Sequence, residues 1–186
     1  RAHGVPSHAG VRHQDGASAI LELARQIVAL EAMTDYDRGI TVNVGMIKGG
    51  TGFNVVPEHC EATIDIRMER AEDGAALVDA VHALQPQNPR VSLEVTGGMN
   101  RPPYQKSNSV TALYEHARGL AAELGFDLPD TFTGGGSDGN FTASIAPTLD
   151  GLGVDGAGAH TQDEHLLVSS LVPRMLLLRR LFQTLT

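Results

Sequence analysis

The sequence predicts an α+β fold. Residues 1–100 read as a β-α-β-β-α-β, ferredoxin-like sheet domain, and residues 101–186 as only part of an α/β layer. Three observations carry this. Two segments that alternate apolar and polar residues, "ITVNVGMIK" and "HCEATIDIRM", follow each other with no helical pattern between them. A helical pattern precedes the pair, and a second helical pattern and a further alternating run, "RVSLEVT", follow it. "GGMNRPPYQKSNS" then breaks every period with glycine, proline and polar residues, as a domain boundary does.

In chain order, "ASAILELARQIVAL" puts Ile20, Leu23, Ala24, Ile27 and Leu30 on one helical face. In the next segment Ile40, Val42, Val44 and Met46 point one way, Thr41 and Asn43 the other. Cys60, Ala62, Ile64, Ile66 and Met68 then face a core, while Glu61, Thr63, Asp65 and Arg67 face away. The second helix carries Glu72 and Asp73 in its first turn, where the macrodipole favours acids. Leu77, Val81 and Leu84 form its face, and Pro86 follows it. Val91, Leu93 and Val95 make the last strand. The pattern needs one more strand ahead of the first helix, ending around Arg1 to Val5. The start, "RAHGVPSHAG", has neither Met nor signal peptide and reads as the middle of a longer protein.

Beyond the boundary, "SVTALYEHARGLAAELG" is a helix with Val110, Leu113, Ala117, Leu120 and Leu124 on its face and Gly125 as its stop. "GGGSDGNFTA" is a glycine loop leading into a short helix, and "APTLDGLG" a short buried strand with a turn. "SSLVPRMLLLRRLFQTL" closes the chain as an amphipathic helix, capped by Ser169 or Ser170, with Pro173 in its first turn.

Composition narrows the class. The 186 residues are 41% hydrophobic, enough for a core. A net charge of −8 speaks against nucleic acid, whose phosphates need clustered Lys and Arg. No run of apolar residues is long enough to span a membrane, and a cytoplasmic location is the expectation. The single cysteine, Cys60, excludes an internal disulfide and a thiolate metal cluster and reads as a small buried apolar residue.

Five stretches hold the candidate chemistry. "GAGAHTQDEHL" crowds His160, Asp163, Glu164 and His165, but zinc needs three or four converging ligands. His160 and His165 are five apart, with no helical or hairpin register, so read alone the stretch is better taken as a solvated loop. "GVPSHAG" sets His8 among small residues that leave its imidazole free to reach outward; the other reading is a loop histidine bonded to a nearby carbonyl. "GGTGFNVVP" offers Asn54 as donor and acceptor, or is simply a long hairpin loop. Arg67 is either a surface partner of Asp65 or a fork for a substrate carboxylate. "TGGGSDGNF", with Gly135, Gly136 and Ser137, can turn backbone N–H groups toward an anion. It lacks the lysine of a phosphate-binding P-loop and fits the serine-hydrolase elbow only in part.

Taken together, "GVPSHAG", "NVVP" followed by "DIR", "GGGSDGNF" and "GLGVDGAGAHTQDEHL" resemble, in order, the motifs of the zinc-dependent aminoacylase, glutamate carboxypeptidase and desuccinylase family of metallopeptidases. The last two are most similar to the bacterial glutamate carboxypeptidase-like branch. The resemblance implies that residues 1–100 are a lid, or dimerisation, domain and residues 101–186 the C-terminal part of a zinc-exopeptidase-like catalytic domain. It implies a homodimer joined through the lid. The whole protein would hold two zinc ions and cleave an amide or peptide bond next to a free carboxylate, in a small N-acyl amino acid or peptide. His160 matches the last metal ligand. His8 matches the catalytic lid histidine that reaches into the partner's site and steadies the oxyanion. Asn54 and Arg67 match residues that hold the substrate's carboxylate end, and Gly135, Gly136 and Ser137 line the same pocket.

This sequence also departs from the family pattern. The other ligands, an H-x-D stretch, a bridging aspartate and a Glu-Glu pair with the general base, precede the lid in the family, and none is present here. This chain alone is therefore expected to hold zinc weakly and to be inactive. "GVDGAG" replaces an all-glycine loop. An aminoacylase or N-carbamoyl amidohydrolase is the nearest enzymatic alternative, and a non-catalytic dimerisation module the alternative from another class.

Overall fold

Alternation in "HCEATIDIR" passes unchanged into a strand. His59–Arg67 is extended, with Cys60 buried, Ala62, Ile64 and Ile66 half-buried on the same face, and the residues between them exposed. This strand organises the first of two units in the computed structural model, which describes residues 1–185. The units are Arg1–Pro103 and Tyr104–Thr186.

Unit 1 runs β1 (Ala2–His3), β2 (Ser7–His8), α1 (Ala19–Glu31), β3 (Thr41–Gly49), β4 (Val55–Val56), β5 (His59–Arg67), α2 (Ala71–His82) and β6 (Ser92–Leu93). Four strands form an antiparallel sheet in the order β3-β5-β1-β6. Both helices lie on the face that β5 turns inward. At one end Leu23 of α1 packs with Ala2, Cys60 and Val91; at the other, Leu30 of α1 and Val81 of α2 pack with Ile40, Val42, Ile64 and Ile66. β2 and β4 pair separately as a two-stranded ribbon.

Two expectations for this unit change. The register of β3 shifts between Val44 and Met46, where Gly45 forms a bulge. One extra residue reverses the faces beyond it, so Met46 is 70% exposed instead of joining the core. In α1 the buried stripe is Ala19, Glu22, Leu23, Gln26 and Leu30, while Ile20 and Ala24 lie outward. Periodicity counted apolar residues and passed over a buried carboxylate. Ser18 caps the helix by accepting the Leu21 N–H.

Unit 2 holds α3 (Asn108–Glu123), α4 (Gly139–Thr142), β7 (Gly156–Ala157), β8 (His165–Leu166) and α5 (Val168–Thr184). α3 starts at the cap Ser107, whose Oγ accepts the Val110 N–H, and ends before Gly125 at φ 85°. Ala117, Leu120 and Ala121 of α3 pack against Leu177 and Leu181 of α5. α5 begins earlier than expected, with Leu167 at its N-cap, so neither Ser169 nor Ser170 is the cap. The Ser170 hydroxyl instead donates to the Leu167 carbonyl and accepts the Asp155 N–H. "APTLDGLG" is not a strand. Among the described residues no strand pairs with it, and Pro147 has no N–H to give a ladder; Leu149 and Leu152 still reach the core.

Candidate functional site

In unit 1 the ribbon brings two of the candidates side by side. His8 pairs with Val55 across β2 and β4, and the Ala9 N–H donates to the Asn54 carbonyl at 2.9 Å. His8 is exposed, and its Nδ1 accepts the backbone N–H groups of Gly10 (3.1 Å) and Val11 (3.2 Å). A backbone N–H can only donate. Nδ1 is therefore the acceptor, and the neutral ring carries its proton on Nε2, pointing a donor away from the loop. The alternative of a histidine bonded to a nearby carbonyl does not hold at Nδ1.

The loop is closed on itself. The Ser7 hydroxyl donates to the Arg12 carbonyl, and the Arg12 N–H donates to the His8 carbonyl. A short helical turn, His13–Asp15, follows, and Gly16 lies so close to Val56 that a Cβ there would meet its side chain at 2.8 Å.

Arg67 lies apart from this pair. It ends β5, eight residue steps from His59 and so about 26 Å along the strand from the end that adjoins β4. Its guanidinium is bonded to Asp65, through Nε at 3.0 and 3.1 Å and a terminal nitrogen at 2.8 Å. That hydrogen bonding raises its pKa above the ordinary value against the opposing effect of burial. Its geometry is that of an exposed ion pair.

Unit 2 holds the remaining candidates. Three amides of the glycine loop are spent within it. Gly135 N–H donates to Thr133 Oγ1, Ser137 N–H to Asn140 Oδ1 at 2.8 Å, and Gly139 N–H to Ser137 Oγ at 3.0 Å. Gly136 stands between them in irregular backbone, and α4 is only four residues long. The N–H groups of Gly135, Ser137 and Gly139 are therefore bonded within the loop rather than turned outward.

His160 sits in the turn between β7 and β8, a short hairpin the sequence did not reveal. Its φ is 64°, the one non-glycine residue with positive φ among the described residues. Histidine tolerates this region better than most residues, and such backbone clusters at functional sites. The His160 N–H donates to Glu164, while the Nδ1–H of His165 is spent on the Asp163 carbonyl. Among the described residues no group of three or more His, Cys, Asp or Glu could hold a metal ion. The residues present thus do not form a zinc site on their own, and no catalytic step follows from one here.

Sequence reasoning missed two buried carboxylates in unit 1. Glu22, 1% exposed, accepts from Gln26 Nε2 (2.8 Å) and from the N–H groups of Gln87 (2.8 Å) and Asn88 (3.0 Å). Burial pushes its pKa up, but these hydrogen bonds and the nearby Arg25 outweigh it and hold the carboxyl below its ordinary range. Asp73, also buried, is clasped by Arg38 and Arg70. Two polar residues four apart, Glu22 and Gln26, on an otherwise apolar helical stripe were the available signal.

Comparison with known proteins agrees with this architecture. Residues 1–90 match the model of the peptidase dimerisation domain. Carboxypeptidase G2 of a Pseudomonas species is 27% identical over 93% of this chain and 43% of its own length. Succinyl-diaminopimelate desuccinylase of Cupriavidus taiwanensis is 31% identical over 91% of this chain and 45% of its own length. The crystal structure of aminopeptidase PepT from Bacillus cereus has a TM-score of 0.68 at 25% identity, covering 97% of this chain and 48% of that one. A Staphylococcus aureus tripeptidase, at a TM-score of 0.71 and 22% identity over 98% of this chain and 50% of its own, shares the fold. The chain spans a little under half the length of the curated relatives it matches. Residues 1–90 are thus a peptidase dimerisation domain, and over most of its length the chain is similar to carboxypeptidase G2 and succinyl-diaminopimelate desuccinylase.

Proposed function

We propose that the whole protein is a zinc-dependent hydrolase that cleaves an amide or peptide bond next to a free carboxylate, and that this chain supplies its lid and part of its catalytic domain. The observation that carries the reading is the fixed Nε2–H of His8 beside Asn54. Amide hydrolysis develops negative charge on the former carbonyl oxygen, and a donor held ready at that oxygen lowers the barrier. In this reading His8 gives that hydrogen bond, Asn54 meets the substrate, and Gly135, Gly136 and Ser137 shape the pocket wall. Arg67, about 26 Å along the strand from the pair of His8 and Asn54, serves the carboxylate only after exchanging its bond to Asp65, and shares a small substrate with His8 only where the two come from different copies in the dimer. His160 contributes one metal ligand; the others lie outside this chain's residues. The named functions of the relatives, carboxypeptidase and desuccinylase, support an N-acyl or peptidyl amino acid as substrate.

The same reading makes the protein a homodimer joined through unit 1. Ile20, Leu21, Ala24 and Val28 line the outward face of α1, and β3 is an edge strand showing Met46 and Ile47. An open edge beside exposed apolar side chains calls for a cover, and a second copy supplies one. Hydrolysis of N-acyl-glutamate by the whole protein, followed by release of the free amine, is the test. No turnover of any N-acyl or peptidyl acid, with an intact dimer, would favour the non-catalytic dimerisation module instead.

A further inference from the structure

Arg90 lies outside every motif that carries the family resemblance, yet it holds the base of the His8 loop. Its guanidinium donates to three successive carbonyls: Gln14 and Gly16 at 3.2 Å each, and Asp15 between them. Those carbonyls belong to the turn that closes the loop, and the Arg12 N–H of the same segment bonds the His8 carbonyl. Arg90 is itself held. Its N–H donates to Asn88 Oδ1 at 3.0 Å, and the N–H groups of Asn88 and Gln87 are tied to the buried carboxylate of Glu22. A continuous set of hydrogen bonds therefore runs from the core of α1 through residues 87–90 to the turn behind His8.

We propose that Arg90 is a positioning residue for His8, presented by a loop that Glu22 anchors. The inference rests on the reading of His8 as the donor to the developing oxyanion. A planar guanidinium suits this task because its fork of five N–H groups spans neighbouring carbonyls, which a single ammonium does only in part. Loss of the clamp frees the turn, the Gly10 and Val11 amides no longer converge on Nδ1, and the Nε2–H loses its aim. Misplacement of a catalytic donor lowers the rate even where no contact to substrate is lost.

The test has two arms. In this chain, backbone and ring ¹⁵N relaxation of wild type, Arg90→Ala and Arg90→Lys reads the order of Gly10, Val11 and the His8 ring. Rigid order parameters near 0.85 are expected in wild type, with a fall below about 0.6 in Arg90→Ala and partial recovery in Arg90→Lys. Signals of β5 and α2 should not move. In the whole protein, Arg90→Ala should lower kcat about tenfold with KM unchanged, and Arg90→Lys should restore part of it. Unchanged order at Gly10 and Val11 in Arg90→Ala would overturn the inference, as would lost order with unchanged kcat while His8→Ala is impaired. Full kcat in His8→Ala would instead remove the reading of His8, and the inference with it, whatever the loop does.

Discussion

The carboxylate of Glu22 accepts the backbone N–H of Asn88 at 3.0 Å, joining residues 66 apart in sequence inside unit 1. Its pKa is held below the ordinary carboxylate value of 4.5 despite burial, so the unfolded chain binds this proton more readily than the folded one. The stabilisation is fully present above that ordinary value and is lost as pH falls through the lower folded one. Glu22→Gln should cost about 1–3 kcal/mol at neutral pH, and urea unfolding at falling pH should show the gap to wild type closing. A gap that widens in acid would refute the sign.

Gly4 separates β1 from the chain leading to β2. A Cβ there would run into the Ala17 carbonyl and come within 2.9 Å of the Ala19 N, and both obstacles are backbone. Gly4→Ala should therefore destabilise unit 1 by about 2–3 kcal/mol. Gly119 in α3 has nothing within 4 Å of its added Cβ, and Gly119→Ala should stabilise unit 2 by about 0.5–1 kcal/mol. Thermal melts that rank the two variants the other way would contradict the packing described.

The outward face of α1 gives a direct test of assembly. Val28, 73% exposed, and Ile47, 55% exposed, should be covered in the proposed dimer. Val28→Lys combined with Ile47→Lys should shift sedimentation toward the monomer without loss of helix signal. Unchanged association by the double variant would move the interface elsewhere.

In the whole protein His8→Ala should lower turnover about 10²–10³-fold and leave bound zinc unchanged, the loss typical of one oxyanion donor. His160→Ala should lower both turnover and zinc, read by elemental analysis. This chain by itself should show no hydrolysis of N-acyl-glutamate and little zinc after dialysis, since one neutral imidazole is a poor site. Two equivalents of tightly held zinc in this chain would mean a site formed from other residues.

Much of the fold was readable because burial on one face leaves a period of two in a strand and 3.6 in a helix. β5 and α3 show this plainly, from Cys60 to Ile66 and from Ala117 to Leu120. Met46 was misplaced because a bulge at Gly45 changes register without changing composition. Glu22 was missed because its partners are amides 65 and 66 residues away, and backbone groups leave no mark in a sequence. The candidate site was legible as a set of motifs and not as geometry. Nothing local in "SHAGV" states that two N–H groups settle the tautomer of His8, and nothing in "DIR" states that Arg67 bonds its neighbour Asp65 at the far end of the strand.

Cys60 gives this sheet a built-in clock. The thiol is the only one in the chain, sits on β5 packed among Ala2, Ala19, Leu23 and Val91 at 3% exposure, and is pushed up in pKa chiefly by burial. An alkylating reagent reacts with the thiolate alone, so the closed sheet is chemically silent. Labelling then proceeds only when the packing of α1 and β1 over Cys60 opens, and its rate in excess reagent counts those openings. Because β1 belongs to that packing and leads directly into the β2 ribbon that carries His8, the same rate sets a ceiling on how often the loop loses its footing through β1.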